Sequence, residues 1–282
     1  MSVHARAVQG ELKPLPNVRN IIAVGSGKGG VGKSTTSVNL ALALAATGAK
    51  VGVLDADIYG PSIPTMLGIT ARPESPDNKS IIPLRAHGLE AMSIGLLVEA
   101  DTPMIWRGPM ATSALSQLLA DTRWGGEEGL DYLIVDLPPG TGDIQLTLAQ
   151  KIPVAGAVIV TTPQEVATLD ARKALRMFEK VDIATLGLIE NMAQHVCGNC
   201  GHIEHLFGQG GAMQIAEKYG VPVLGSLPLE GRIREQGDVG IPLVAAAPDS
   251  SAAQSYCDVA KRLVEELEKR PRAKVAISAS LL

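Results

Sequence analysis

Three cysteines in 282 residues are too few to build a disulfide framework. The chain is therefore expected in a reducing compartment, by default the cytoplasm. Aromatic residues make up only 3% of it, which argues against a surface that stacks exposed bases. Positive charge is not in excess: 25 lysines and arginines face 29 acidic residues, for a net charge of −4. No global basic field is left to hold nucleic acid. No uninterrupted apolar run approaches the ~18 residues that a membrane-spanning helix needs. The N-terminus also lacks the apolar core of a secretory signal. The expectation is a soluble cytoplasmic protein, with neither nucleic acid nor membrane as a partner.

What the chain does have is a core and a glycine-rich loop. Hydrophobic residues are 46% of the sequence and charged residues 19%, enough to fill a substantial interior. The segment Gly27-Lys28-Gly29-Gly30-Val31-Gly32-Lys33-Ser34, continued by Thr35, fits the pattern G-x-x-x-x-G-K-[ST]. An apolar run, Ile21–Val24, reads as a short buried strand before it. An Ala- and Leu-rich helical stretch follows, from about Lys33 to Thr47, stopped by Gly48. Glycines let successive backbone N–H groups turn inward around a phosphate, and the helix points its positive end at the same anion. Lys33 is expected to reach the β- and γ-phosphates, and the Ser34 hydroxyl to ligate Mg²⁺. A chance match in a glycine-rich chain is the competing explanation. Strand, loop and helix in register weigh against it.

Residues 1–18 show no periodicity and read as a flexible N-terminal arm. From there the chain alternates short apolar runs with helical patterns. Val51–Leu54 is a second expected strand, and Ala91–Leu97 another. A helix is expected over Thr112–Asp121. Buried strands follow at Tyr132–Asp136, Ala157–Thr161 and Leu186–Glu190. Between the last two, Val166, Leu169, Leu175 and Phe178 fall near helical spacing over 166–180. Val223–Leu227 reads as a late strand, and Ser251–Lys269 as an amphipathic helix that takes Cys257 into its core side. Strands without period-2 alternation, separated by helices, point to an α/β fold. Its centre is expected to be a single doubly wound, mostly parallel sheet with helices on both faces. One domain over residues 19–270 and a tail over 271–282 is the economical division. Ligands in such sheets bind beyond the carboxyl ends of the strands.

Two strand ends carry carboxylates. One is Asp55-Ala56-Asp57; the other is Asp136, followed by Leu137-Pro138-Pro139-Gly140-Thr141-Gly142-Asp143. An acidic residue ending a hydrophobic strand is the Walker B arrangement, which holds Mg²⁺ directly or through its water. A strand-end Asp taken alone is more often a cap. Downstream of a phosphate loop the balance reverses.

The second lysine of the loop, Lys28, makes it resemble the deviant Walker A motif of the family containing MinD, ParA and the nitrogenase iron protein. Several further segments resemble the Mrp/ApbC group of iron–sulfur cluster carriers within it. They are Asp55–Ser62, Trp106–Met110, Asp136–Asp143, Thr162–Glu165, Ile189–Met192 and Cys197–Cys200, in order over roughly residues 18–270. Many members of the group carry a small domain before the ATPase, whereas this chain starts almost directly at the ATPase. The resemblance implies ATP as the nucleotide and a P-loop ATPase fold. It implies that Lys28 reaches across a homodimer interface to the partner's nucleotide. It further implies that Asp57 positions the attacking water and touches Mg²⁺ through water, and that Asp136 is the Mg²⁺-linked aspartate of the second switch. Asn191 is implied to read the adenine, with Pro228 lining the base pocket.

Cys197-Gly198-Asn199-Cys200 places two thiols three positions apart on a turn, able to bind one soft metal centre. A [4Fe–4S] cluster normally takes four thiolates. Two per chain become four where a two-fold axis passes the motif, which argues for a homodimer bridged by the cluster. Zinc held with His202 and His205 is a competing reading, although that spacing is tighter than in zinc fingers. A dimeric Cys₄ zinc site and a thioredoxin-like redox pair also stay open. The expected function is an ATP-hydrolysing carrier with slow turnover that receives a [4Fe–4S] cluster from scaffold proteins and transfers it to apoproteins. A MinD/ParA-like positioning ATPase, a cluster reductase and a zinc-bridged dimeric ATPase are the alternatives.

Overall fold

A computed structural model of the chain describes residues 3–10, 12–97 and 108–273. In chain order the elements are β1 (Val18–Gly25), α1 (Lys33–Ala45), β2 (Val51–Asp55), α2 (Ile63–Met66), β3 (Leu84–Ala86), β4 (Leu89–Ser93) and α3 (Gly108–Asp121). The chain continues with β5 (Leu130–Asp136), α4 (Asp143–Lys151), β6 (Gly156–Thr161), α5 (Glu165–Lys180) and β7 (Thr185–Glu190). Last come β8 (His195–Val196), β9 (Ile203–Glu204), α6 (Gly211–Tyr219), β10 (Val223–Ser226), α7 (Gly231–Asp238), α8 (Leu243–Ala246) and α9 (Ser251–Glu268).

Eight strands form one sheet in the order β10-β7-β6-β1-β5-β2-β4-β3. All neighbours are parallel except β3, which folds back on β4 through His87 and Gly88, both with positive φ. That turn geometry matches the twist of a two-residue hairpin. β2 and β6 are buried at every residue and β1 at all but Arg19, as helices on both faces require. One face carries α1, α8 and α9, with Leu40, Leu44, Tyr256 and Leu263 in its core. The other carries α3, α4, α5 and α6, with Leu115, Leu148, Phe178 and Ile215. The register sets Val24 of β1 and Asp55 of β2 on either side of Asp136 in β5. Three strand ends thus meet at one point of the sheet, where the chain leaves β1 toward β2 but leaves β5 the other way, toward β6.

Several expectations need correction. Along α5 the buried stripe is Ala167, Ala171, Ala174, Leu175 and Phe178, while Val166 and Leu169 are 63% and 45% exposed. Small alanines supply the contact face here, so the larger residues alone misplace it. The strand expected over Ala91–Leu97 ends at Ser93, where the Ser93 hydroxyl accepts from Gly95 N–H and starts a 3₁₀ turn. Cys257 is only half buried, packed against the edge of the core.

The N-terminal segment is anchored. Gln9 donates from Nε2 to the carbonyls of Ala149 and Ile152 and accepts from Val154 N–H. Arg6 pairs with Arg272 in a β-bridge, and its N–H meets Asn20 Oδ1 at 3.0 Å. Polar side chains on backbone groups make this attachment, which leaves no apolar period in the sequence. Trp106 and Arg107 lie outside the described residues. No described helix is long and apolar enough to cross a membrane.

Candidate functional site

The phosphate loop leaves β1 at Gly25 and enters α1 at Lys33. Gly32 caps the helix in the left-handed region, at φ 81°, and a Cβ there would lie 2.2 Å from the Asn191 amide nitrogen. At Gly27 a Cβ would stand 2.1 Å from the Asp170 carbonyl oxygen, so α5 closes the loop from outside. Both positions need glycine for space, and Gly32 for its backbone angle as well. Gly29 and Gly30 are exposed at the crest, and Val31 is buried beneath it.

Asp136 organises the polar centre. It is fully buried, and its Oδ2 accepts from Lys33 Nζ at 2.7 Å and from Ser34 Oγ at 2.6 Å. Its Oδ1 accepts from Ser37 Oγ at 2.6 Å. Ser37 escaped the sequence reading; its position one turn after Ser34 is the signal that could have found it. Lys33 and Ser34 therefore stand together with the Walker B carboxylate, and the two oxygen donors of Ser34 and Asp136 suit a hard cation. Lys28 sits half exposed on the loop, and its ammonium has no hydrogen-bond or ion-pair partner among the described residues.

Asp55, legible in the sequence only as one of the strand-end carboxylates, takes a definite part in the site. It pairs in register with Asp136 and is completely buried. Burial first, and the Asp136 charge second, push its carboxyl up to about 7. It accepts from the backbone N–H groups of Asp57, Ser62 and Ile63, and from Ser93 Oγ. The loop carrying Asp57 is thereby tied to the sheet. Asp57 itself is half buried and accepts from Gly60 N–H at 3.3 Å. The loop after Asp136 is likewise held, with Gly140 N–H donating to the Ser26 carbonyl at 3.0 Å.

Asn191 and Pro228 meet beside the loop. Both line a cavity of about 430 Å³ together with Gly32 and Thr35. The Asn191 amide donates to the Val31 carbonyl at 2.8 Å. Two residues on, Ala193 N–H donates to the Leu227 carbonyl, and Leu229 N–H donates to the Gln194 carbonyl. These bonds brace the segment that leads directly into the cysteines.

Cys197 and Cys200 occupy the tip of the β8–β9 hairpin, remote in sequence from the loop. Cys197 N–H donates to the His202 carbonyl, and Gly201 N–H returns to the Cys197 carbonyl, each at 2.9 Å. Backbone N–H groups of Asn199 and Cys200 hold the Cys197 thiol below its ordinary pKa, favouring thiolate. The His205 ring is turned to the Ala193 carbonyl at 2.9 Å. Among the described residues no three His, Cys, Asp or Glu side chains converge on one metal position. The described residues bring no third side chain of this kind to the two thiols.

Comparison with known proteins places these features. A family model described as the NUBPL iron-transfer P-loop NTPase, of the ParA type, matches residues 17–264. An iron–sulfur cluster carrier protein of Haemophilus influenzae is 61% identical over 251 residues, covering 89% of this chain and 67% of its own length. An iron–sulfur cluster carrier protein of Pseudomonas fragi is 59% identical over 254 residues, covering 89% and 88%. The Archaeoglobus fulgidus nucleotide-binding protein, solved in complex with ADP, superposes with a TM-score of 0.70 at 40% identity, covering 79% of this chain and 87% of that one.

Proposed function

Because the chain belongs to the NUBPL iron-transfer P-loop NTPase family, we propose that it is an ATP-dependent carrier of iron–sulfur clusters. Its cargo is a [4Fe–4S] cluster held between two copies of the chain by Cys197 and Cys200 of each. The observation that carries this reading is the thiol pair itself. It is raised on a hairpin tip, pre-set toward thiolate on Cys197, and complete as a four-sulfur site only when doubled. A reducing cytoplasm suits such thiols.

ATP binds with its phosphates in the loop Gly27–Thr35 and its base in the cavity of Asn191 and Pro228. Lys33 exchanges part of its pairing with Asp136 for the β- and γ-phosphates. Ser34 directly, and Asp136 and Asp57 through water, would hold Mg²⁺, which would supply positive charge against the phosphate oxygens. Asp57 orients the attacking water. Lys28 reaches the partner's phosphates as an arginine finger would, which accounts for an ammonium left unpaired among the described residues of one chain. The segment Asn191–Cys197 then carries changes at the base pocket toward the hairpin, through the bonds at Ala193 and Gln194. Apoproteins receive the cluster, and scaffold proteins supply it.

Anaerobic reconstitution with iron and sulfide tests the reading. Wild type is expected to gain the broad visible absorption of a cluster, and Cys197→Ala and Cys200→Ala each to lose it. Stoichiometric zinc and no cluster spectrum in wild type would overturn it in favour of a zinc-bridged dimer.

A further inference from the structure

Tyr256, far along the chain on α9, also lines the cavity of about 430 Å³ beside the phosphate loop. The residue is 1% exposed, and its ring belongs to the apolar core on the α1 side of the sheet. Its hydroxyl departs from that apolar setting. It makes no hydrogen bond with any described residue. Buried tyrosine hydroxyls usually find a partner.

That oxygen is nevertheless not walled in. Among the described residues, the sealed side-chain atoms without a partner belong to Gln145 and Arg270 alone. The Tyr256 oxygen is therefore neither paired nor sealed, and the space open to it is the cavity. Burial first, and the charge of Glu230 second, raise the phenol above its ordinary pKa. The group keeps its proton and stands ready to donate it in a hydrogen bond.

The lining decides what the hydroxyl meets. Met66, Leu229 and Ile233 supply apolar surface, while Thr35 brings the phosphate loop to the same space. A flat ring with apolar faces and polar edge atoms suits such walls. A phosphate does not. Arg234 in the lining is already paired with Asp238, which leaves the Glu230 carboxylate as the net charge there. A second negative group is repelled from it.

Resting on the reading that ATP places its base in this cavity, we propose that Tyr256 is a specificity-determining residue for the nucleotide: its hydroxyl donates to an acceptor atom of the nucleoside. That acceptor is a ring nitrogen of the base or an oxygen of the sugar, and analogues separate the two. Helix α9 thereby joins the phosphate loop and the end of β7 in holding the nucleotide.

Tyr256→Phe keeps the ring and removes the O–H alone. Its thermal melt should match wild type, since no hydrogen bond within the described chain is lost. The full chain is titrated by calorimetry with ATP, magnesium tripolyphosphate, the 1-deaza, 3-deaza and 7-deaza analogues of ATP, and its 2′-deoxy and 3′-deoxy analogues. In Tyr256→Phe, ATP affinity should fall about tenfold while tripolyphosphate affinity stays unchanged. In wild type, the analogue lacking the acceptor should bind about tenfold weaker than ATP, and that penalty should vanish in Tyr256→Phe. Three results would overturn the proposal: ATP affinity unchanged in Tyr256→Phe, leaving water as the only partner of the hydroxyl; an equal fall for ATP and tripolyphosphate, the mark of a merely structural residue; or every analogue penalty surviving in the variant. Asn191→Ala, measured in parallel, separates this proposal from the reading beneath it. Weaker ATP binding in Asn191→Ala with none lost in Tyr256→Phe removes Tyr256 alone, whereas no loss in either variant removes the base from the cavity.

Discussion

Asn191 donates its side-chain amide to the carbonyl of Val31, which clamps the end of β7 onto the crest of the phosphate loop at 2.8 Å. The same Asn191 lines the cavity of about 430 Å³ proposed to take the base, and it opens the segment that leads to Cys197. Loop, cavity and thiol hairpin are therefore joined through one residue. Replacing it with Ala removes the clamp and, in the proposed binding mode, the base contact together. Nucleotide affinity is expected to drop about tenfold, the equivalent of one good hydrogen bond. Equilibrium binding of a fluorescent ATP analogue checks this, and unchanged affinity would remove Asn191 from the site.

Lys28 and Lys33 should separate cleanly. Lys33 is the buried partner of Asp136, so Lys33→Ala leaves a carboxylate unpaired in the interior. Breaking such a pair costs about 3–5 kcal/mol, and the variant should melt lower as well as lose ATP hydrolysis. Lys28→Ala removes no side-chain hydrogen bond or ion pair among the described residues and should keep the wild-type melting temperature while losing turnover. Asp57→Ala should behave like Lys28→Ala in turnover. Thermal melts beside steady-state ATPase assays decide, and full turnover in Lys28→Ala would refute its role.

The Asp55 carboxyl, raised to about 7 in the folded chain from an ordinary 3.8, gives a signed pH dependence. Between those values the folded state holds a proton that the unfolded state has released. Asp55 therefore contributes a loss of stability as pH rises from about 4 to 7, levelling off above. Asp55→Asn removes the titrating group and should flatten that part of the curve. Urea midpoints at pH 5 and pH 7.5 measure it. An equally steep fall in the variant would assign the slope to another group.

Thiol reactivity should follow the local hydrogen bonds. The Cys197 thiol is held low by the N–H groups of Asn199 and Cys200, whereas burial raises that of Cys257. At pH 7 iodoacetamide should label Cys197 well before Cys257, since the thiolate is the nucleophile. Peptide mapping over time shows the order. Reconstitution with iron and sulfide should protect Cys197 and Cys200 and leave Cys257 unchanged.

Buried parallel strands were legible because both faces are covered, so Ile21–Val24, Val51–Leu54 and Ala157–Thr161 read as plain apolar runs. The phosphate loop and the strand-end aspartates were legible because their chemistry fixes residue type and spacing. Helix α7 was not, since Ile233 is its one buried residue. Nor were α4 and α6, which bury only three residues each: Gln145, Leu148 and Ala149 in one, Gly211, Ala212 and Ile215 in the other. Asp55 hid in plain sight beside Asp57: its work is to accept backbone N–H groups, which no spacing rule announces. The attachment of Gln9 to the end of α4 was invisible for the same reason. The roles of Asn191 and Pro228 came from family resemblance, and the fold brings both to one cavity.

Two copies of the chain are proposed to share one cluster through Cys197 and Cys200. Native mass spectrometry of the anaerobically reconstituted protein tests it most directly. The expected species is a dimer carrying the added mass of one [4Fe–4S] cluster, with an apo mass for both cysteine variants. A monomer holding a cluster of its own, or a dimer whose added mass is a single zinc ion, would contradict it.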